Sequence, residues 1–458
     1  MSTAAVRSRT ATAQIVVRRG TAAPYLLAAA LFLIYACWSI HRHLRLRTSG
    51  YDLGIFDQAV RGYAGLGAPV STIKGPGFNL LGDHFHPILA VLGPLYRLFP
   101  SPITLLVAQA ALIAASSIPI TRLAIRLAGR GGGVSAGIAY GMSWGLQSAV
   151  DFDFHEIAFA VPLLAFGLTA LVERRWTAAA AWTLPLIAVK EDLPATVAVI
   201  GLLLALRGRR RLGAALMLIA VGSGLVILGV ILPALNPAHV YPYAAALNGQ
   251  LVLPVVKLHT LLWLLAPTLF IALRSPLLLA AVPTLAWRFW STNPSYWGTG
   301  FQYSAVLMPI VFVALLDALH TTGAGRAARV VAHATGVIAL AATVLTPLPL
   351  RGLFMPGTWA IDAGAGRVRL ALARIPDDAR VAADNRLAVQ LTTRCTVYFF
   401  PIYPQADLRP EWVAVSNPVD TTMATPVTMA AALDRLPGYG YQIVLRTNGV
   451  TIFHRDES

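Results

Sequence analysis

The chain has 458 residues, 57% of them hydrophobic and 12% charged, with a mean hydropathy of +0.65. That composition excludes an ordinary soluble domain and fits a multi-pass membrane protein. A formal net charge of +16 would suggest nucleic acid in a soluble chain. Here the arginines gather in short loops between apolar runs, so membrane topology explains them and no nucleic-acid partner is expected. Cys37 lies in the first apolar run and Cys395 near the other end, a usage that gives neither a disulfide framework nor a cysteine metal site.

Residues 1–20 read as a cytoplasmic tail, loosely held at lipid headgroups. The run Pro24–Ile40 has the length of a signal peptide, but His-Arg-His-Leu-Arg follows it instead of a small-x-small cleavage site, so an uncleaved first span is expected. A transmembrane domain is expected over 21–346, with a first outer loop at 41–100. Further apolar runs lie near 102–121, 133–150, 157–172, 177–189, 193–206, 212–232, 258–273, 276–290, 304–319 and 328–346. These make about eleven spans.

With a cytoplasmic N-terminus, Arg122/Arg126/Arg130, Arg174/Arg175, Arg207/Arg209/Arg210/Arg211, Arg274 and Arg326/Arg329 all fall inside. The opposite loops hold the acids. Arg42, Arg45 and Arg47, after the first span, break the rule. An odd number of spans then places the C-terminus outside.

The first outer loop is a polar island, YDLGIFDQAV…GDHFHP. Leu53, Phe56, Val60 and Tyr63 recur at helical spacing, with Asp52 placed to cap that helix and Asp57 on its more polar side. Asp83, His84 and His86 precede Pro87, a favoured first helical residue. The run after it, PILAVLGPLYRLF, is too short to cross a bilayer.

After Pro347 the composition changes, and residues 347–458 read as a small extracytoplasmic α/β domain. An amphipathic helix is expected near 360–374. Short strands are expected at ARVAAD, TVYFFP, EWVAVS, QIVLR and VTIFHR, with helices at RLAVQL and TMAAALDRL. Asn448-Gly449 supplies a hairpin turn. This domain has no phosphate loop and no catalytic triad, which suits it to covering or recognising substrate.

Several groups could carry chemistry, and each has a plainer reading. Asp52 and Asp57 are candidates for a general base and its helper; otherwise they are a cap and a solvated face. Asp83-His84-x-His86 is a fragment of a divalent metal site for Zn²⁺, Mn²⁺ or Mg²⁺, or a set of capping and headgroup contacts. Asp151-Phe-Asp153-Phe-His155-Glu156 alternates acids with aromatics, as sugar sites do, or as a solvated loop does. Lys190-Glu191-Asp192 interrupts an apolar segment where charge is costly unless paired or functional. Lys257 and Arg288 are cations for a lipid phosphate, or headgroup anchors.

Together, YDLGIFDQAV, GDHFHPILAVLGPLYRLFPSPITLLVAQA, DFDFHEIAFAVPLL, KEDLP and DNRLA…VYFFP…GYGYQIVL resemble a bacterial family of predicted multi-pass plasma-membrane proteins of unknown function. That family is assigned to the clan of GT-C-type glycosyltransferases, and the resemblance spans nearly the whole chain. It implies a mainly α polytopic bundle, a polyprenyl-phosphate sugar donor, inversion at the outer face, and a catalytic acid in the first outer loop. Asp52 or Asp57 matches that position, but no Asp-Asp or Asp-Glu doublet says which. The rival readings are a transporter or flippase of lipid-linked material, and a non-catalytic assembly partner.

Overall fold

The computed structural model describes residues 22–244, 254–323, 325–360 and 362–455. The expected tail at 1–20 lies outside the described residues. Every apolar run named above forms helix.

The first helix, α1 (Ala23–Leu44), starts on Pro24 and ends in His41, Arg42 and His43, cations that complement the C-terminal end of the helix dipole. A turn of π-helix at Gly50–Gly54 leads into α2 (Ile55–Ala64), and a 3₁₀ turn at Pro87–Leu92 leads into α3 (Gly93–Leu98). Asp52 therefore sits inside the π turn and is not the cap of α2.

Next comes α4 (Pro102–Gly141), capped by Ser101, whose Oγ accepts from the Ile103 amide at 3.2 Å. It reverses at Gly129, where φ is 75° and ψ 174°, a conformation that favours glycine. The two arms pack closely enough that a Cβ at Gly133 would lie 2.4 Å from Ile125, and one at Gly137 would lie 2.2 Å from Thr121 Oγ1. A bend with small-residue contacts thus folds one element into two antiparallel arms. The first matches the run expected at 102–121, and the second only the start of the run expected at 133–150, which breaks at Met142 before the next helix begins at Trp144.

Then follow α5 (Trp144–Asp151), α6 (Ala160–Val172), α7 (Trp176–Thr183), α8 (Leu193–Leu206), α9 (Arg210–Val226) and α10 (Leu232–Leu235). A second π segment, Ile227–Ile231, joins the last two. The bundle closes with α11 (Val255–Leu265), α12 (Val282–Trp290), α13 (Leu307–Thr321) and α14 (Gly325–Leu345). Among the described residues, four stretches are long and apolar enough to cross a membrane alone: Ala23–Leu44, Pro102–Gly141, Arg210–Leu235 and Gly325–Leu345. The remaining runs are shorter or broken by 3₁₀ turns, as at Leu184–Ala188 and Pro276–Ala281.

All residues of α13 from Leu307 to Leu319 are buried, so this helix is the axis of the bundle. Its one acid, Asp317, is neutralised by Arg207 Nη2 at 3.2 Å and accepts from Ser275 Oγ at 2.6 Å.

The small domain holds α15 (Ala363–Leu372), β1 (Arg380–Ala383), α16 (Asn385–Ala388), β2 (Thr396–Phe399), β3 (Trp412–Asn417), α17 (Pro426–Arg435), β4 (Gln442–Thr447) and β5 (Gly449–His454). Its sheet runs β2-β1-β3-β5-β4, with parallel pairing across the first three strands and antiparallel pairing across the last three. The expected hairpin turns at Gly449, with φ at 121°.

The domain is fastened to the first outer loop. Gly50 packs against Ala388, where a Cβ would approach to 2.7 Å. Asn385 Oδ1 accepts from the Tyr51 amide at 2.9 Å, and Arg61 Nη1 donates to Thr392 O at 2.9 Å. Gln58 Nε2 and Thr72 Oγ1 both donate to Val397 O, at 3.1 and 2.6 Å. The sheet thus supports the turn that carries Asp52.

Candidate active site

A cavity of about 710 Å³ opens where the first outer loop, the start of α6, the Lys190–Asp192 turn and α12 meet. That volume falls within the range of small-molecule pockets. Its two walls differ in chemistry. One is apolar, built from Pro194 and Ala195 of α8, Ala220, Val221, Gly224 and Leu225 of α9, Leu228 of the π segment, and Pro283 and Ala286 of α12. On the outer side of α9, Leu218 and Leu225 are 75% and 69% exposed, so this wall is shared with the lipid.

The other wall is a ring of ion pairs. Asp52 Oδ1 lies 3.3 Å from His155 Nε2, and its side chain remains 26% exposed. Phe152 stacks on the His155 ring with centroids 5.3 Å apart, and Phe56 meets it edge-on at 5.5 Å, so the imidazole is aimed by two aromatics.

Glu156 Oε1 is 2.9 Å from Lys190 Nζ. Burial alone would raise Glu156, but Lys190, then His155 and His86, outweigh it and hold the carboxyl down at about 2. Burial likewise opposes the Lys190 charge, and Glu156 and Glu191 reverse that, raising its pKa. This ammonium is therefore held protonated. His84 Nδ1 sits 2.6 Å from Glu191 Oε1, whose other oxygen accepts from the Phe85 amide at 3.1 Å. Burial works against a charge on His84, and Glu191 outweighs it. Asp83 pairs with Lys74 at 3.0 Å and accepts from Tyr243 OH at 3.0 Å, while the Tyr243 ring stacks on His84.

The Lys-Glu-Asp turn is the hub of this wall. Its three side chains reach three elements: Lys190 the 3₁₀ turn Glu156–Phe159 that leads into α6, Glu191 the first outer loop, and Asp192 the indole of Trp287 on α12 at 2.8 Å. Among the described residues Asp192 has no cation in hydrogen-bond contact, and burial raises it to about 6. Trp287, Tyr296 and Tyr303 pack edge to face beside it and give the cavity flat aromatic surfaces.

The structure brings together Asp52, Asp83, His84, His155, Glu156, Lys190, Glu191 and Asp192 of the expected residues. The others go elsewhere. Asp57 is fully buried on the far side of α2, where it accepts from Tyr96 OH at 2.8 Å. The face of α2 that carries Asp57 does not lie on a membrane surface, since α3 and the small domain cover it.

Asp151 and Asp153 do not reach the cavity. They clamp Arg42 at 3.1 and 3.2 Å, and Asp153 also accepts from the Ser49 amide at 2.7 Å. One of the arginines that break the charge rule is thus engaged inside the protein: Arg42 is the partner of Asp151 and Asp153. Lys257 Nζ donates to Phe289 O at 2.6 Å and sits 4.3 Å above the Trp297 ring. Arg288, fully buried, donates to the carbonyls of Tyr296 and Gly298 at 2.8 and 2.9 Å. Both cations organise the loop after α12, away from the cavity.

His86 is buried against Phe56 and lies outside the cavity, with its Nδ1 unpaired among the described atoms. Asp83, His84 and His86 therefore do not converge. Among the described residues no group of three His, Cys, Asp or Glu side chains could hold a metal ion, so the donors expected for a divalent metal do not fit one.

Lys74, Tyr241, Tyr243 and Gln302 also line the cavity and were missed by sequence reasoning. A signal for Lys74 existed. The chain has 36 Lys and Arg side chains, of which only Lys74, Lys190 and Lys257 are lysines, all in expected outer loops or at their edge. Two of the three reach the cavity.

The model of a family described as predicted membrane protein, DUF2079, matches residues 42–452. The chain belongs to this family. No curated protein matches it. Among solved structures, ArnT from Cupriavidus metallidurans bound to undecaprenyl phosphate is similar with a TM-score of 0.60 and 14% identity, over 96% of this chain and 99% of that one. The DUF2079 chain therefore has the GT-C fold, with apolar helices and a small C-terminal sheet domain, and is a membrane protein.

Proposed function

We propose that this protein is an inverting membrane glycosyltransferase, which takes a sugar from a polyprenyl-phosphate donor and gives it to an acceptor hydroxyl outside the cytoplasm. The observation that carries the reading is the joining of a lipid-facing apolar wall to Asp52 and Lys190 in one cavity. The undecaprenyl phosphate in the similar ArnT structure supports the donor class.

In this reaction the prenyl chain lies along α9 and the phosphate faces the cations. Asp52 accepts the proton of the acceptor hydroxyl, whose oxygen attacks the anomeric carbon from the face opposite the phosphate. The C–O bond to phosphate breaks and its electron pair leaves with the phosphate, where Lys190 opposes the developing charge. His155 orients the Asp52 carboxylate, and no step is routed through a metal. The aromatic surfaces of Trp287, Tyr296 and Tyr303 are placed for a sugar ring.

The orientation that goes with this function has the N-terminus in the cytoplasm and the C-terminal domain outside. An impermeant thiol reagent should label Val427→Cys, on the exposed side of α17, in intact cells. The deciding experiment is transfer by the Asp52→Asn protein reconstituted in lipid, where a folded variant that binds donor should lose most of its turnover. Full turnover in that variant would remove Asp52 from the mechanism. Movement of lipid-linked material by the wild type without any transfer would identify a flippase instead.

A further inference from the structure

A second cavity lies at the other end of α6. Glu156, at the start of that segment, lines the first cavity, whereas Glu173 and Arg175, just beyond its end, line the second. Seventeen residues at about 1.5 Å rise separate them by roughly 25 Å, close to the thickness of a bilayer's hydrocarbon core. The second cavity holds about 340 Å³ and is formed by Pro119, Arg122 and Arg126 of α4, Phe166 and Thr169 of α6, and the Glu173–Arg175 turn.

Three guanidinium groups meet one carboxylate there. Glu173 pairs with Arg126 and, at 2.7 Å, with Arg175, which leaves a surplus of positive charge. Arg122 donates to the hydroxyl of Tyr25 and lies 4.7 Å from the centroid of its ring, contacts that bring no countercharge. Next to this cluster, Arg209 covers Trp176 at 5.6 Å, an aromatic suited to the depth of lipid headgroups. Apolar surface continues from the cations into the membrane: Phe166 of the cavity stacks on Trp182 at 4.7 Å, and Trp182 is 41% exposed.

We infer that this cavity binds the phosphate of an anionic phospholipid, with the three arginines around the headgroup and an acyl chain along the Phe166–Trp182 surface. The site lies across the membrane from the proposed transfer chemistry and does not depend on it. A basic pocket between helix ends is the arrangement that selects anionic headgroups, and its strength follows the number of cations. The apolar continuation favours a lipid over free phosphate.

Native mass spectrometry of the purified full-length protein tests this, with dioctanoyl phosphatidylglycerol, dioctanoyl phosphatidylcholine and inorganic phosphate as probes. The wild type should retain phosphatidylglycerol over phosphatidylcholine, and millimolar phosphate should not displace it. Arg122→Gln/Arg126→Gln should reduce that preference by about thirtyfold, the effect of removing two cations near a lipid phosphate. Equal retention of the two lipids by the wild type would overturn the proposal without need of a variant. Displacement by inorganic phosphate would make it a free-anion site, and an unchanged preference in the double variant would move the lipid elsewhere.

Discussion

Asp52, Glu156 and Glu191 each contact a basic partner at the edge of an open cavity, whereas Asp57 and Asp153 are turned into seams between packed elements. All are carboxylates, and the loops that carry them are neighbours. On the cavity wall, each pair joins two elements around a void, so a substrate hydroxyl or phosphate can enter beside the pair. In the seams the pairs are closed by what surrounds them. Asp153, at a φ of 63°, holds both Arg42 and the Ser49 amide, and Asp57 faces a tyrosine hydroxyl with no room beyond it. An acid in an outer membrane loop is therefore not a catalytic signal by itself. Its exposure to a cavity decides.

The strongest test of that contrast sets Asp52→Asn against Asp153→Ala. The amide at Asp52 keeps size and hydrogen bonding while removing the basic oxygen, so turnover should fall by about 10²–10⁴-fold with the melting temperature nearly unchanged. Asp153→Ala should do the reverse near pH 6, below the value of about 7 to which burial raises Asp153, because Arg42 and the Ser49 amide lose their acceptor. About 1–3 kcal/mol of stability should go, while turnover per folded molecule survives. If both variants lose turnover equally, the division between wall and seam fails.

Lys190→Met probes the wall from its basic side. It leaves Glu156 charged and buried with no partner, which costs about 3–5 kcal/mol of stability. Glu156→Gln added to it should restore most of that stability. Turnover should stay low in the double variant, because the ammonium proposed to face the donor phosphate is still missing. Recovery of turnover in the double variant would make Lys190 a structural partner only.

Much of this was legible in the chain. The eleven apolar runs, the five strands and the Asn448-Gly449 turn depend on local patterns that survive folding, and so did the concentration of charge at Asp52, His155 and Lys190. Which way a polar side chain turns was not legible, because it depends on what packs over it. Asp57 looked solvated until α3 and the small domain covered it. Arg288 and Lys257 read as available to phosphate, yet Arg288 satisfies carbonyls of the irregular loop after α12, and Lys257 the last-turn carbonyl of Phe289 in α12. The π turn at Gly50–Gly54, which directs Asp52 into the cavity, has no signature in residue type. The second π segment, at Ile227–Ile231, also contributes to the cavity through Leu228, which accords with the tendency of such turns to mark functional sites.

The smallest effect belongs to Asp57 and separates its role from that of Asp52. Burial, offset only in part by bonds from Thr392 and Tyr96 and by the charge of Arg61, pushes Asp57 up to about 6. In the unfolded chain the carboxyl returns to roughly 4. The folded state thus holds this proton more tightly, and the stability linked to it is fully present below about pH 4 and is lost as pH rises through about 6. Above that the carboxylate is charged and buried, with Oδ2 unpaired among the described atoms. Asp57→Asn removes the titration while an amide oxygen still accepts from Tyr96 OH. The variant should match the wild type near pH 4, exceed it by roughly 1–3 kcal/mol near pH 8, and keep full turnover. Thermal unfolding of both proteins in detergent across that range reads the difference, and a wild-type slope that persists in the variant would assign it to another group.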